Sequence, residues 1–166
     1  MPIPREAIFS QDLRRTYRYT LWRTWGENDA PFVQFIGLNP STADHLVDDP
    51  TVTRCRDYAR RWNFTALCVT NLFAFRSTKP SGLKKARDPI GPDNDAHLFR
   101  VAGEAGLIVA IWGSRFNKWQ VLRGRKQAVY EQVRELSCIG LTPTGNHPKH
   151  PLGHPKTAMP QIYPYR

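Results

Sequence analysis

The chain lacks any run approaching the roughly 18 consecutive apolar residues of a membrane span. Its most apolar stretches, FVQFIGL at 32–38 and LIVAIW at 107–112, are strand-sized. The opening MPIPREAIFSQDLRR has no apolar h-region, so no secretory signal is expected. Cysteine is scarce: Cys55, Cys68 and Cys138 are odd in number and scattered, which excludes a disulfide framework and any metal-type spacing. Reduced, buried thiols and a reducing cytoplasm are the expectation. Acidic residues are few, 14 against 24 Lys and Arg, for a formal charge of +10 and a pI near 10.0. Such a balance speaks about partners rather than fold, and nucleic acid is the default acidic partner. P-loop, G-x-G-x-x-G and G-x-S-x-G signatures are missing, which weakens kinase, classical dinucleotide and serine-hydrolase readings. There is no internal repeat and no low-complexity tract.

What is present fits one domain over residues 1–166, with an N-terminal arm to about residue 15 and a proline-rich tail from about 153 to 166. Hydrophobic residues make up 40%, with five Trp and eight Phe, enough for a core. The segment TYRYTLWRTW at 16–25 reads as a strand with one wet face, and Glu27-Asn28-Asp29 as a turn. PFVQFIGL at 31–38 is a second strand, forming a hairpin with the first or leaving it as an antiparallel edge. Val52, Cys55, Tyr58, Ala59 and Trp62 recur at helical spacing. TALCVTNL at 65–72 is a buried-type strand. A helix starts at Asp93 or Asn94 and runs to about Ala105, LIVAIW is the central strand, a further helix spans 124–136, and a short strand spans 137–141. This order predicts a three-layer α/β/α domain. Its sheet is mainly parallel, with four strands plus the N-terminal antiparallel strand or hairpin. Ligands in such sheets bind outside the carboxyl ends of the strands.

That rule selects Asn39–Asp44, Asn71–Phe75, Trp112–Ser114 and 142–152. Asn39, in a rigid turn with Pro40 and Ser41, could orient a water, read a base edge or simply cap the next turn. Among Asp44, Asp48 and Asp49 one could be a general base, or the cluster is a solvated loop with a helix cap. Asn71 ends a buried strand, in a pocket role or a structural hydrogen bond. Phe73 and Phe75 could stack on a base or pack in the core. His147, His150 and His154 each precede proline and so lie on a stiff extended path. Their spacing suits one metal sphere poorly, so no metal is expected. Arg54, Arg60 and Arg61 on the first helix, with Arg76, Arg115 and Lys118, are the candidate phosphate contacts.

Taken together, FIGLNPSTAD, DDPTVTRC, VTNLFAFRST, IGPDNDAHL, IVAIWG and HPL resemble the family known as domain of unknown function 1643, in order, from about Tyr17 to Leu152. More distantly the pattern resembles the uracil-DNA glycosylase superfamily. FIGLNPS is similar to the G-x-N-P-G motif of its mismatch-specific branch, although Ser41 replaces the second glycine. VTNL is similar to the strand ending in the base-reading Asn, IVAIWG to an LLWG-type strand and HPL to the late HPS-type motif. The resemblance implies that Asn39 positions the attacking water and His150 stabilises the leaving base; Asp44, from the aspartate loop, is a further catalytic candidate on the residue reading alone. It implies that Asn71 reads a flipped base; Phe73, Trp112 and His147 are candidate base-binding residues from their positions at the strand ends. The four-cysteine set of some branches is absent, so no cluster or other cofactor is expected. The implied function is a monofunctional DNA glycosylase for uracil or another damaged or modified base. It would be a monomer in the nucleoid, acting on double- or single-stranded DNA. The alternatives are a non-catalytic nucleic-acid-binding module and a nucleoside or nucleotide hydrolase.

Overall fold

The apolar segments of the sequence become the middle of one sheet. In a computed structural model, residues 6–165 are described except 28, 42 and 45. Residues 1–5 of the expected arm, Asn28 of the expected turn, Thr42 of the loop after Asn39 and Arg166 of the tail lie outside the described residues. Strands β3 (Val33–Gly37) and β4 (Ala66–Asn71) are buried at every position, as strands covered on both faces must be. β3 pairs in parallel with β4 and with β5 (Leu107–Ala110), and β5 pairs in parallel with β6 (Ser137–Cys138). Three further strands are antiparallel additions: β1 (Ala7–Phe9) on β2, β2 (Arg18–Thr24) on β4, and β7 (Gln161–Ile162) on β6. The result is an α/β protein with a seven-stranded mixed sheet in the order β1-β2-β4-β3-β5-β6-β7.

The helices are α1 (Pro50–Arg61), α2 (Ser81–Lys85), α3 (Asn94–Glu104) and α4 (Gln120–Gln132). Side-chain alternation along the strands divides the core in two. Val33, Phe35, Leu67, Val69, Val109 and Ile111 cluster with Val52, Cys55, Tyr58 and Ala59 of α1. Ile36, Cys68, Ile108 and Ala110 cluster with Leu98 and Val101 of α3 and with Leu122 and Val129 of α4. The connection from β3 to β4 runs through α1 on one face, and the later crossovers use α3 and α4 on the other. A right-handed crossover that reverses direction along a sheet must change face. The connections leave β3 and its neighbour β5 in opposite directions, and this leaves a crevice between the loops that follow them.

Several expectations are corrected. Of the two expected arrangements of β2 the hairpin with β3 does not form; β2 is an antiparallel addition, beside β4 and not at the very edge. It has no wet face over its first five residues, Arg18 to Trp22, which are all buried. β1 covers its outer edge, and Tyr19 stacks on His97 of α3 at 5.0 Å. The arm contributes β1, and the tail is built in. Arg54 Nη1 donates to the His154 carbonyl at 2.6 Å, Tyr58 Oη to that of Pro155 at 3.0 Å, and Trp62 Nε1 to that of Ala158 at 3.0 Å. Beyond this strap along α1, the chain forms β7 and buries Tyr163 edge-on against Trp112, with ring centroids 5.8 Å apart. Proline-rich composition marked the tail as irregular, but its backbone carbonyls and two aromatics, Tyr163 and Tyr165, dock it on the domain. Among the described residues no helix is long and apolar enough to cross a membrane.

Candidate functional site

A cavity of about 530 Å³ opens at the crevice, lined by residues from seven segments, among them Pro80 before α2. From β3 and its turn come Gly37, Asn39, Pro40 and Ser41, and from the start of α1 come Asp49, Thr51 and Val52. Asn71 comes from β4, Ile111 to Arg115 from the end of β5, and His150 and Leu152 from the last loop. Arg18 of β2 joins them.

Each side chain is held by its local backbone. The Asn39 amide donates from Nδ2 to the carbonyls of Pro40 (3.0 Å) and Ser77 (3.2 Å), which leaves Oδ1 as the acceptor for a ligand. Asn71 stands opposite Gly37 in the β3–β4 register and is 3% exposed, and its Nδ2 is buried without a partner. The end of β4 is fixed by Asn94, whose Nδ2 donates to the carbonyls of Asn71 (3.0 Å) and Leu72 (3.3 Å), and by Arg125 Nε on Leu72 at 2.6 Å. Trp112 is 2% exposed, borders the cavity and packs in the core, with Nε1 buried and unpaired.

His150 sits at the cavity mouth and is exposed overall. Its Nδ1 accepts from Leu152 N at 3.2 Å. An accepting Nδ1 carries no hydrogen, so the neutral ring bears its proton on Nε2, as a donor. Partial desolvation pushes the imidazole pKa below its ordinary value; Asp49 pulls it up and Arg115 pushes it further down. The neutral donor is therefore the dominant form near neutrality.

Asp49 is the N-cap of α1. It accepts from Val52 N at 2.8 Å and from Ser41 Oγ at 2.9 Å, and Pro50 follows in the first turn, where a missing N–H costs nothing. The cavity carboxylate is thus Asp49 and not Asp44. Asp44 accepts from the backbone of Leu46 and Val47, both at 2.8 Å, as a turn former. Asp48 pairs with Arg23 at 2.6 Å and Arg56 at 3.1 Å.

Other candidates fall elsewhere. Phe73 is fully buried and stacks on Trp119 at 5.3 Å, and Phe75 packs against the same core. His147 lies outside the cavity with Nε2 3.3 Å from Asn117 Nδ2. His154 directs Nε2 at the Ile139 carbonyl at 2.8 Å. Of these three His-Pro pairs, only that of His150 lines the cavity. Of the six basic candidates only Arg115 does so. Arg54 is tied to the tail, and Arg76 lies over Phe9 at 4.8 Å. Arg60 lies over Trp25 at 5.1 Å. Arg60 and Arg61 are in the last turn of α1, ~16 Å along the helix from Asp49 at 1.5 Å per residue. Lys118 is exposed and does not border the cavity. Arg18 was not anticipated. Its only signal in the sequence is a charge opening the apolar strand RYTLW, and that read as a solvated position.

Fold and site define an α/β domain with a cavity at the carboxyl ends of its parallel strands, lined by apolar side chains and a few polar groups. The chain belongs to the family described as protein of unknown function (DUF1643), whose model matches residues 18–152 and so contains every cavity-lining residue. No curated protein and no solved structure matches the chain.

Proposed function

We propose that the protein is a monofunctional DNA glycosylase that hydrolyses the N-glycosidic bond of uracil or another damaged or modified base. In this reading it is a nucleoid-associated monomer with the three-layer organisation of the uracil-DNA glycosylase superfamily. The observation that carries the reading is the Asn71 amide, a buried, unpaired donor in the same cavity as Asn39 and His150. Leaving such a donor unsatisfied costs about 1–3 kcal/mol. A base carbonyl brought out of the stack into the cavity would supply the acceptor.

The chemistry follows from the remaining groups. As the C1′–N bond breaks, its electron pair stays on the base and the sugar becomes cation-like. Asn39 Oδ1 accepts a hydrogen bond from the water that adds to C1′. An amide is no strong base, but a late, cation-like transition state needs little activation of the water. His150 Nε2–H donates to the base anion, and the water's second proton ends on the departed base. The test is base release from a panel of oligonucleotides carrying modified bases, read as strand breaks after alkali. Wild-type protein yielding no more breaks than Asn39→Ala on every substrate removes the reading. Arg18, a buried cation in the cavity, favours one second reading, a hydrolase of free nucleotides.

A further inference from the structure

Arg18 is 2% exposed, yet it uses little of its hydrogen-bonding capacity. Nη1 donates to the Ala43 carbonyl at 2.8 Å, while Nε is buried without a partner. Among the described residues no carboxylate forms an ion pair with it. Buried charges are ordinarily paired, because the desolvation of an unpaired guanidinium is not recovered.

The backbone is arranged to put it there. Along the β1–β2 pair, Ala7 faces Leu21 and Ile8 faces Thr20, but Phe9 faces Arg18, so β2 carries one extra residue, Tyr19. Such a bulge reverses the alternation of side chains and re-aims those beyond it. Trp22 belongs to the cluster under α3 and α4. Regular alternation would send Arg18 to that same face. Instead Tyr19 stacks on α3, and Arg18 reaches the loop carbonyl of Ala43 and the cavity, beside Val52, Val69 and Ile111 of the α1 face. Asp49 faces the same cavity, but its carboxylate is engaged by Ser41 and Val52 N, and Arg115 stands at the rim. Among the described residues two guanidinium groups face the cavity against one carboxylate, an excess of positive charge.

We infer that Arg18 is the anion-binding group of this cavity, and that the ligand brings a phosphate to it. An amide suited to a base edge and a guanidinium suited to a phosphate, in a cavity large enough for a small molecule, describe a nucleotide. The nucleoside half of that description rests on the reading proposed above; the phosphate half stands on Arg18 alone. A free nucleotide and the 5′-phosphorylated end of a strand carry the same group.

Calorimetric titration separates these parts. The probes are inorganic phosphate, deoxyuridine, deoxyuridine 5′-monophosphate and a 5′-phosphorylated trinucleotide. Wild-type protein is expected to bind phosphate and to bind the monophosphate more tightly than deoxyuridine. Arg18→Met should weaken the monophosphate by about ten- to a hundredfold, the loss of charge-assisted hydrogen bonds, and leave deoxyuridine unchanged. Competition by the trinucleotide identifies a strand end as the source, and its failure identifies free nucleotides; both sustain the subsite. Deoxyuridine failing while phosphate binds sinks the base reading and sustains the subsite. Wild-type protein that binds neither phosphate nor monophosphate, or Arg18→Met that binds both as wild type does, overturns it. Should Arg18→Met not fold, the Arg18 Nε–H resonance of wild-type protein, assigned through Arg18→Lys, decides. It shifts on adding phosphate if the inference holds, and stays fixed if it does not.

Discussion

Gly37 and Asn71 face each other across the β3–β4 pair, and a Cβ at position 37 would lie 2.7 Å from Asn71 Oδ1. Glycine is needed there for close approach. Gly37→Ala must displace the Asn71 amide, a movable side chain, so its expected cost to stability is about 1 kcal/mol, at the low end for overpacking. Base release should fall much further, at least about tenfold if Asn71 holds the base; stopped single-turnover assays beside thermal melts check the pair of effects. Asn39→Ala and His150→Ala should lower the single-turnover rate while leaving DNA affinity nearly intact, because the water and the leaving-group charge matter mainly in the transition state. An equal rate for Asn39→Ala rejects its role with the water.

The histidines carry a pH signature. His97, His147 and His150 all have pKa values lowered from 6.5, each chiefly by desolvation. The unfolded chain therefore binds protons more readily than the folded one. Their contribution to stability is complete above about pH 6.5 and is lost as pH falls through that value toward the depressed folded pKa values. Melting temperature should drop between neutral and mildly acidic pH, and His97→Gln should flatten the slope. Protonated His150 would also present an N–H to the Leu152 N–H, so base release should fall as pH drops through the lowered folded pKa of His150. A rate that rises on acidification counts against a neutral donor.

At the scale of the element, α1 joins fold to site. Asp49 caps its N-terminus and lines the cavity, while Arg60 and Arg61 complement the dipole at its far end. Asp49→Ala should cost about 1 kcal/mol in chemical denaturation through the lost cap. The strap of the tail over α1 and the burial of Tyr163 mean that the C-terminal segment is structural. Tyr163→Ala should cost about 3 kcal/mol, in the range of large-to-small aromatic changes in a core. A cost near zero would show the strap to be dispensable. Helix periodicity located α1 within two residues of its observed start, because four of its apolar residues face one strand surface. The short strands β1 and β7 were illegible, since three and two residues carry no period.

For the molecule as a whole, the charge of +10 predicts a steep fall of log K for DNA with log salt. The basic side chains are dispersed: among the described residues only Arg18 and Arg115 border the cavity. Arg60→Ala and Arg61→Ala are expected to weaken DNA binding without changing the saturated rate, since phosphate contacts position rather than react. Affinity measured across a salt series that stays flat would argue for a small anionic ligand over a polymer.

The sequence by itself determined the α/β class, the central strands and the strand ends at which the cavity opens. Apolar runs and helical spacing are local, and the rule about carboxyl ends needs only their order. It therefore pointed to Asn39, Asn71, Trp112 and His150 as neighbours. Only the tertiary structure decided which His-Pro pair meets the cavity, that Asp49 and not Asp44 is its carboxylate, and that Phe73 turns into the core. Each of these depends on loop paths set by long-range contacts. Arg18 shows the reason most directly. A one-residue bulge where β2 pairs with β1 reverses which face a side chain occupies, and no pattern within the strand itself records it.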